Sequence, residues 1–259
     1  MENYLDLKEK GCWYQIKNVI SIILDYIYPK NIKCILCNNP IDKSNTYSLC
    51  KSCFDKIYFI KDGCIKCGKP IENNRDISPI DECAYCSDKD FYFKKAISCM
   101  EYDETTSKLI YNLKYGRKTY ISYHMAQIIR DKIQYENINF DFIVYVPLHK
   151  SRYKKRGFNQ CELIAKNLEK FTDKKVISCL YRKNKTRYLS KLSKSERSKE
   201  LRGAFKVNNN IEEIYNKNIL LIDDIFTTGS TVNEISKLLK DNNTNNIYVC
   251  CVLTGRNLY

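Results

Sequence analysis

Residues 219–222 (Ile-Leu-Leu-Ile) are apolar, and two carboxylates, Asp223 and Asp224, follow without a break. Ile225 and Phe226 then lead into Thr227, Thr228, Gly229, Ser230 and Thr231. Residues 232–240 place Val232, Ile235, Leu238 and Leu239 on one side of a helix. A short apolar run closed by turn residues and followed by helical spacing reads as a buried parallel strand, a loop and a helix. In an open α/β sheet a ligand at such a junction sits beyond the carboxyl end of the strand. The free N–H groups and dipole of a helix start favour an anion there, the four hydroxyls add donors, and Gly229 lets the backbone approach closely. Asp223 and Asp224 would repel a phosphate. They suit hydroxyl groups or a Mg²⁺ ion. A ribose 5-phosphate, with a phosphate at one end and a diol at the other, satisfies both halves. Thr231 and Glu234 also have the spacing of a capping box, which explains a helix start but not two carboxylates placed before it.

The same stretch closely resembles the phosphoribosyl-diphosphate (PRPP) signature of type I phosphoribosyltransferases. That resemblance implies an α/β fold, a mainly parallel sheet flanked by helices, and PRPP bound with Mg²⁺. It makes Asp223 and Asp224 the catalytic pair that holds the ribose hydroxyls. Thr227, Thr228, Gly229, Ser230 and Thr231 become the 5-phosphate site.

The first 90 residues follow a different rule. Four Cys-x-x-Cys pairs stand in line: Cys34/Cys37, Cys50/Cys53, Cys64/Cys67 and Cys83/Cys86, with spacers of 12, 10 and 15 residues. Two thiolates on one tight turn supply half of a tetrahedral zinc site, and a second turn supplies the rest. A disulfide framework would need an oxidising compartment, and no secretion signal is evident. The expectation is an N-terminal cysteine-rich zinc ribbon, single or double, whose sites are closed and structural. Sequential pairing gives two Cys₄ sites, and an interleaved cross-brace remains the alternative. The other six cysteines, at 12, 99, 161, 179, 250 and 251, lack ligand spacing and read as small buried residues.

Before the array, residues 11–30 have Trp13, Ile16, Ile20, Ile23 and Ile27 at helical spacing, closed by Pro29. The expected domains are therefore an amphipathic helix over 1–30, the zinc ribbon over 31–90 and the transferase-like domain over 91–259.

Within the third of these, strands are expected at 96–102, 141–146, 175–181 and 247–253, and helices at 104–115, 120–135 and 161–170. A basic stretch, residues 147–160, leaves the strand at 141–146: Pro-Leu-His-Lys-Ser-Arg-Tyr-Lys-Lys-Arg-Gly-Phe-Asn-Gln. Its cations suit a pyrophosphate, arginine as a bidentate ligand and lysine as a point charge. Candidate ligands are His149, Lys150, Ser151, Arg152, Arg156 and Gly157. His124, on a predicted helix, reads as structural.

The motifs Val-Pro-Leu-His-Lys-Ser-Arg and Arg-Gly-Phe-Asn-Gln, with the cysteine array and the Asp-Asp-x-x-Thr-Thr-Gly-Ser-Thr loop, resemble the ComF family from about residue 29 to residue 253. These are competence-associated proteins with a zinc-ribbon head on a phosphoribosyltransferase-like domain. The resemblance implies a part in natural transformation and the handling of incoming single-stranded DNA. It also makes residues 182–202, a long basic and serine-rich stretch, the flexible loop that closes over the diphosphate, with Arg187 and Arg197 as its contacts. Gly203–Val207 matches the family. Leu189 and Glu200 stand where many members carry glutamine and asparagine, so the acceptor side departs from the pattern.

Net charge is +14, which calls for an anionic partner. Residues 151–203 hold 17 Lys+Arg against 5 Asp+Glu, so most of the excess lies between the two proposed phosphate loops. With 44% hydrophobic content the chain can build a core. No segment is long enough to span a membrane, and a cytoplasmic location is expected. Two functional readings stand side by side. One is a phosphoribosyltransferase of unknown acceptor, in which a nucleophile displaces pyrophosphate from the ribose. The other is a non-catalytic adaptor that holds single-stranded DNA, with PRPP or a nucleotide as regulatory ligand. A zinc module recruiting a DNA-uptake helicase is a third.

Overall fold

A computed structural model describes residues 32–71, 83–86, 89–184, 196 and 200–255. The amphipathic segment at 11–30 and the loop residues Leu189, Arg187 and Arg197 lie outside them. The chain divides into two compact units, residues 1–54 and 55–259.

In the first unit, Cys34 and Cys37 lie on a knuckle. The Cys34 N–H donates to Asn39 O (2.8 Å) and the Asn38 N–H to Cys34 O (2.9 Å). Asn38 has φ 62°, a left-handed position that asparagine tolerates. A 3₁₀ turn, Thr46–Ser48, and one helical turn, Lys51–Phe54, carry the chain past Cys50 and Cys53. Ile35 and Leu49 are buried there.

The second knuckle, at Cys64 and Cys67, repeats this geometry inside the larger unit. The Cys64 N–H donates to Lys69 O (2.8 Å) and the Gly68 N–H to Cys64 O (2.9 Å). Gly68 takes the left-handed position (φ 68°), and a Cβ there would lie 2.6 Å from Ala96 O. Glycine is therefore required both by its dihedral and by its close approach to the strand behind it.

The larger unit is built on a parallel sheet of β1 (Lys95–Glu101), β2 (Phe142–Tyr145), β5 (Ile219–Phe226) and β6 (Ile247–Thr254), in the order β1-β6-β5-β2. The central strands β5 and β6 are apolar and buried along most of their length, as strands covered on both faces must be. Helices α1 (Glu104–Lys114), α2 (Ile121–Tyr135), α3 (Lys150–Arg156), α4 (Gln160–Thr172) and α5 (Ser230–Lys240) connect them. Helix α2 packs on α4 and on β1 and β6, while α4 packs on β2 and β5. Asp103 caps α1 through a capping box with Thr106.

Residues 58–60 run antiparallel along the outer edge of β1, with Ile60 N–H donating to Cys99 O (2.9 Å). Buried Lys132 holds them from α2. Its Nζ donates to Ile60 O (2.8 Å) and Lys61 O (3.0 Å) and pairs with Glu136 (2.6 Å). His124 is buried, with Nδ1 3.0 Å from Gln127 Oε1, a structural setting.

The predicted strand at 175–181 forms differently. Val176 makes only an isolated parallel bridge to Ile143. The strand proper is β3 (Leu180–Arg182), antiparallel to β4 (Phe205–Val207) in a separate two-stranded sheet. An alternating apolar pattern fixes which face is buried, but not which neighbour the backbone pairs with. The residues between β3 and β4 are those expected to form the flexible loop. Among the described residues, no helix is long and apolar enough to cross a membrane.

Candidate functional site

Strand β5 continues four residues beyond Ile222, so Asp223 and Asp224 lie on the strand itself rather than after it. Both are nearly buried, at 9% and 6% exposure. Asp224 is paired. Lys114 Nζ, at the end of α1, lies 2.6 Å from its Oδ2, and Gln160 Nε2 donates to the same oxygen at 2.7 Å. Asp223 accepts the Asp224 N–H (2.8 Å) and the Cys161 thiol (3.6 Å).

The electrostatics follow from this crowding. Burial, then the neighbouring Asp224 charge, pushes Asp223 up to about 7. Burial works to lower Lys114, but the Asp224 carboxylate more than offsets it and the net shift is upward. Burial next to both carboxylates drives the Cys161 thiol well above its ordinary range, so it stays protonated and donates.

The hydroxyl turn follows at the carboxyl end of β5. Gly229 is left-handed (φ 71°) and a Cβ there would meet Phe226 Cζ at 2.7 Å. Thr228 Oγ1 and Ser230 Oγ are 2.8 Å apart. Gly229 itself is the N-cap of α5 and no side chain caps it. The capping box anticipated between Thr231 and Glu234 does not form. Glu234 instead accepts the Gly203 N–H at 3.0 Å, and the Ser230 N–H at the helix start makes only a long contact, 3.5 Å, to Thr228 Oγ1.

The basic stretch is not an open loop but the short helix α3. His149 caps it, its Nδ1 accepting the Ser151 N–H (3.2 Å), and Gly157 ends it at φ 87°.

A cavity of about 250 Å³ joins these parts. Its lining combines Asp223, Asp224, Thr227 and Thr231 with Lys114, Arg152, Arg156 and Arg182. Of the six residues expected to hold pyrophosphate, Arg152 and Arg156 line it, whereas His149, Lys150, Ser151 and Gly157 do not. Gly229 and Ser230 line a small hollow with Asp223, Thr227 and Thr231, and Ser230 also faces a separate one with Thr228, Asn233 and Glu234.

Sequence reasoning missed Lys114, Gln160 and Arg182. Arg182 is 7% exposed, stacks on Phe205 (5.1 Å) and is lowered to about 10 by burial and then by the Arg152 charge. Its signal was a cation at a position where the alternation of the strand points inward. Lys114 closes an amphipathic helix two residues before Gly116, and nothing local marks it.

The eight array cysteines form two clusters, Cys34/Cys37/Cys50/Cys53 and Cys64/Cys67/Cys83/Cys86. The pairing is sequential, and the cross-brace does not occur. Sulfurs lie 3.4 Å (Cys64–Cys86), 3.5 Å (Cys67–Cys83) and 3.7 Å (Cys37–Cys50) apart. Zinc–sulfur bonds of about 2.3 Å at tetrahedral angles give edges of about 3.8 Å. Hydrogen bonds among these thiols lower Cys64 and raise Cys67. The clusters fit structural zinc.

Comparison with known proteins finds two family models on the chain. The model for the double zinc ribbon domain matches residues 23–89, and the model for the phosphoribosyl transferase domain matches residues 153–258. Competence protein F of Haemophilus influenzae is 28% identical over 216 residues, covering 81% of this chain and 91% of that protein. DNA utilization protein YhgH of Salmonella typhimurium is 28% identical, covering 85% of this chain and 95% of its own length. Competence protein ComFC of Streptococcus pneumoniae is 27% identical, covering 81% and 94%. The chain is thus similar to ComF-type proteins over most of its length. It combines a double zinc ribbon with a phosphoribosyltransferase-type fold, and its α/β body carries the cavity.

Proposed function

We propose that this protein binds PRPP with Mg²⁺ and acts in DNA uptake or utilisation. The carrying observation is the lining of the cavity at the end of β5: a carboxylate pair and two threonine hydroxyls together with three arginines and a lysine. Asp223 and Asp224 accept the ribose hydroxyls. Thr227 and Thr231, with the start of α5, receive the 5-phosphate. Arg152, Arg156 and Arg182 face the diphosphate, where guanidinium groups offer bidentate donors. Lys114 and Gln160 hold the Asp224 carboxylate in place. Asp223 and Asp224 would hold a magnesium ion, which would neutralise leaving-group charge. Preorganised cations in a partly dry cavity stabilise the departing pyrophosphate.

Calorimetric titration of PRPP with Mg²⁺ tests the reading. Wild type is expected to bind, and Asp223→Ala/Asp224→Ala to lose at least tenfold in affinity. No binding to wild type, or equal binding to both, sinks it.

A second reading, favoured by the relatives named for DNA utilisation and by the departure at Glu200, is a non-catalytic adaptor. It would hold single-stranded DNA and take PRPP or a nucleotide as a regulator. Salt-sensitive binding of a thymidine oligomer that survives the double Asp substitution, without pyrophosphate release, supports it over the enzyme. A zinc module that recruits a helicase is a separate, third reading. Loss of a helicase pull-down on Cys64→Ser, but not at Asp223, would support that role.

A further inference from the structure

A second cavity, of about 210 Å³, adjoins the first and shares Lys114, Tyr115, Arg152 and Arg156 with it. Arg117 and Lys155 complete its lining. Five of its six lining residues are cationic, one is a phenol, and none is acidic. No residue of the hydroxyl turn reaches it, so it is not the 5-phosphate end. It opens instead from the end of the first cavity made by Lys114 and the arginines.

The wall is built rather than incidental. Gly116 closes the end of α1 so tightly that a Cβ would lie 2.8 Å from Asn112 O, and Arg117 behind it takes the left-handed conformation (φ 53°). Tyr115 stays 56% exposed. Its ring lies 5.3 Å from the Arg156 guanidinium and 5.2 Å from the Tyr111 ring. A ring held by an arginine and a second tyrosine is a firm flat surface.

We infer that this second cavity is the acceptor subsite, and that the acceptor is a planar, single-ring nitrogen compound carrying its own negative charge, such as a heteroaromatic carboxylate. This rests on the PRPP reading. Size limits the ring, because 210 Å³ is below the roughly 300 Å³ where pockets for drug-sized ligands begin. Charge selects the anion, because the lining carries five cations and no carboxylate to offset them. The ring lies on Tyr115 and the carboxylate faces Arg117 and Lys155. In the transfer, the acceptor nitrogen's lone pair forms the bond to C1 of the ribose. The C1–O bond to the diphosphate breaks, and its electron pair leaves with pyrophosphate. A proton on the attacking nitrogen, if present, passes to the pyrophosphate. No oxidant or reductant is needed.

The test uses the full-length, zinc-loaded protein saturated with PRPP and Mg²⁺. Orotate is titrated calorimetrically against uracil, its neutral counterpart of the same ring. Orotate is expected to bind at least tenfold more tightly than uracil. Arg117→Gln/Lys155→Gln is expected to remove at least tenfold of that affinity while PRPP affinity stays within twofold. If PRPP binds and orotate does not, or binds no better than uracil, the acceptor inference is overturned and the PRPP reading survives. If PRPP does not bind wild type, the PRPP reading fails and this inference with it. If a thymidine oligomer binds and is weakened by the same pair while orotate is not bound, the surface is a strand-binding one and the inference is wrong.

Discussion

The Tyr85 hydroxyl donates to the main-chain oxygen of Thr227 across 3.4 Å. Tyr85 stands between Cys83 and Cys86 of the second cysteine cluster, and Thr227 opens the hydroxyl turn. The contact is one of a set. Lys69 Nζ, one residue after Gly68, donates to Gly255 O at the end of β6 (2.9 Å), and the Ala96 N–H of β1 donates to Lys66 O (2.8 Å). Phe91 lies against the position a Gly229 side chain would occupy. The second knuckle is therefore part of the body that shapes the phosphate turn, not an appended module.

Loss of the second metal site should be felt in that body. Cys64→Ser/Cys67→Ser removes two thiolates whose metal supplies folding energy. The main thermal transition is expected to fall by about 10 °C or more, with PRPP affinity reduced alongside. Cys34→Ser/Cys37→Ser, in the other compact unit, is expected to leave that transition within about 2 °C. Differential scanning calorimetry of the zinc-loaded variants reads both, and equal losses would refute the asymmetry.

Lys114→Met leaves Asp224 buried with only Gln160 as partner. Breaking a buried pair from one side costs about 3–5 kcal/mol, so unfolding in urea should begin at clearly lower concentration. Adding Asp224→Asn removes the stranded charge and should restore most of the stability. PRPP binding should stay weak in the double variant, because the carboxylate is gone. Restored stability with restored binding would show that Lys114 and Asp224 serve only the fold.

His124 gives a pH dependence with a definite sign. Burial lowers its pKa, and the Gln127 hydrogen bond only partly offsets that. The fold therefore prefers the neutral ring. Its contribution is present above the unfolded value of about 6.5 and is lost as pH falls through the lower folded value. Between pH 7.5 and pH 5, wild-type Tm should fall further than that of His124→Gln. Parallel curves would mean that the ring titrates as freely in the fold as outside it.

Some features were legible early because they rest on local chemistry. The run of apolar residues before Asp223 had to be a buried strand, and Gly229 had to turn where a side chain could not fit. The Cys-x-x-Cys turns dictated zinc knuckles, with Gly68 and Asn38 in matching left-handed positions. By contrast, the basic stretch at 147–160 looked like a loop because its cations hid a one-and-a-half-turn helix. That helix turns Arg152 and Arg156 into the cavity, while the ring of His149 is spent on the cap. A seven-residue helix has too few apolar positions to show periodicity.

By itself the sequence determined the strand–turn–helix at 219–240, the two Cys₄ sets of the array and the resemblance to ComF-type proteins. Each depends on residue types at fixed short spacing, and such spacings survive folding unchanged. Only the tertiary structure decided that Lys114 is the counter-charge of Asp224, 110 residues away. The same holds for Arg182 completing the cationic wall and for the second knuckle bracing the phosphate turn. Those relationships depend on which strands become neighbours in the order β1-β6-β5-β2. That order is set by the summed packing of the whole body, not by any one segment.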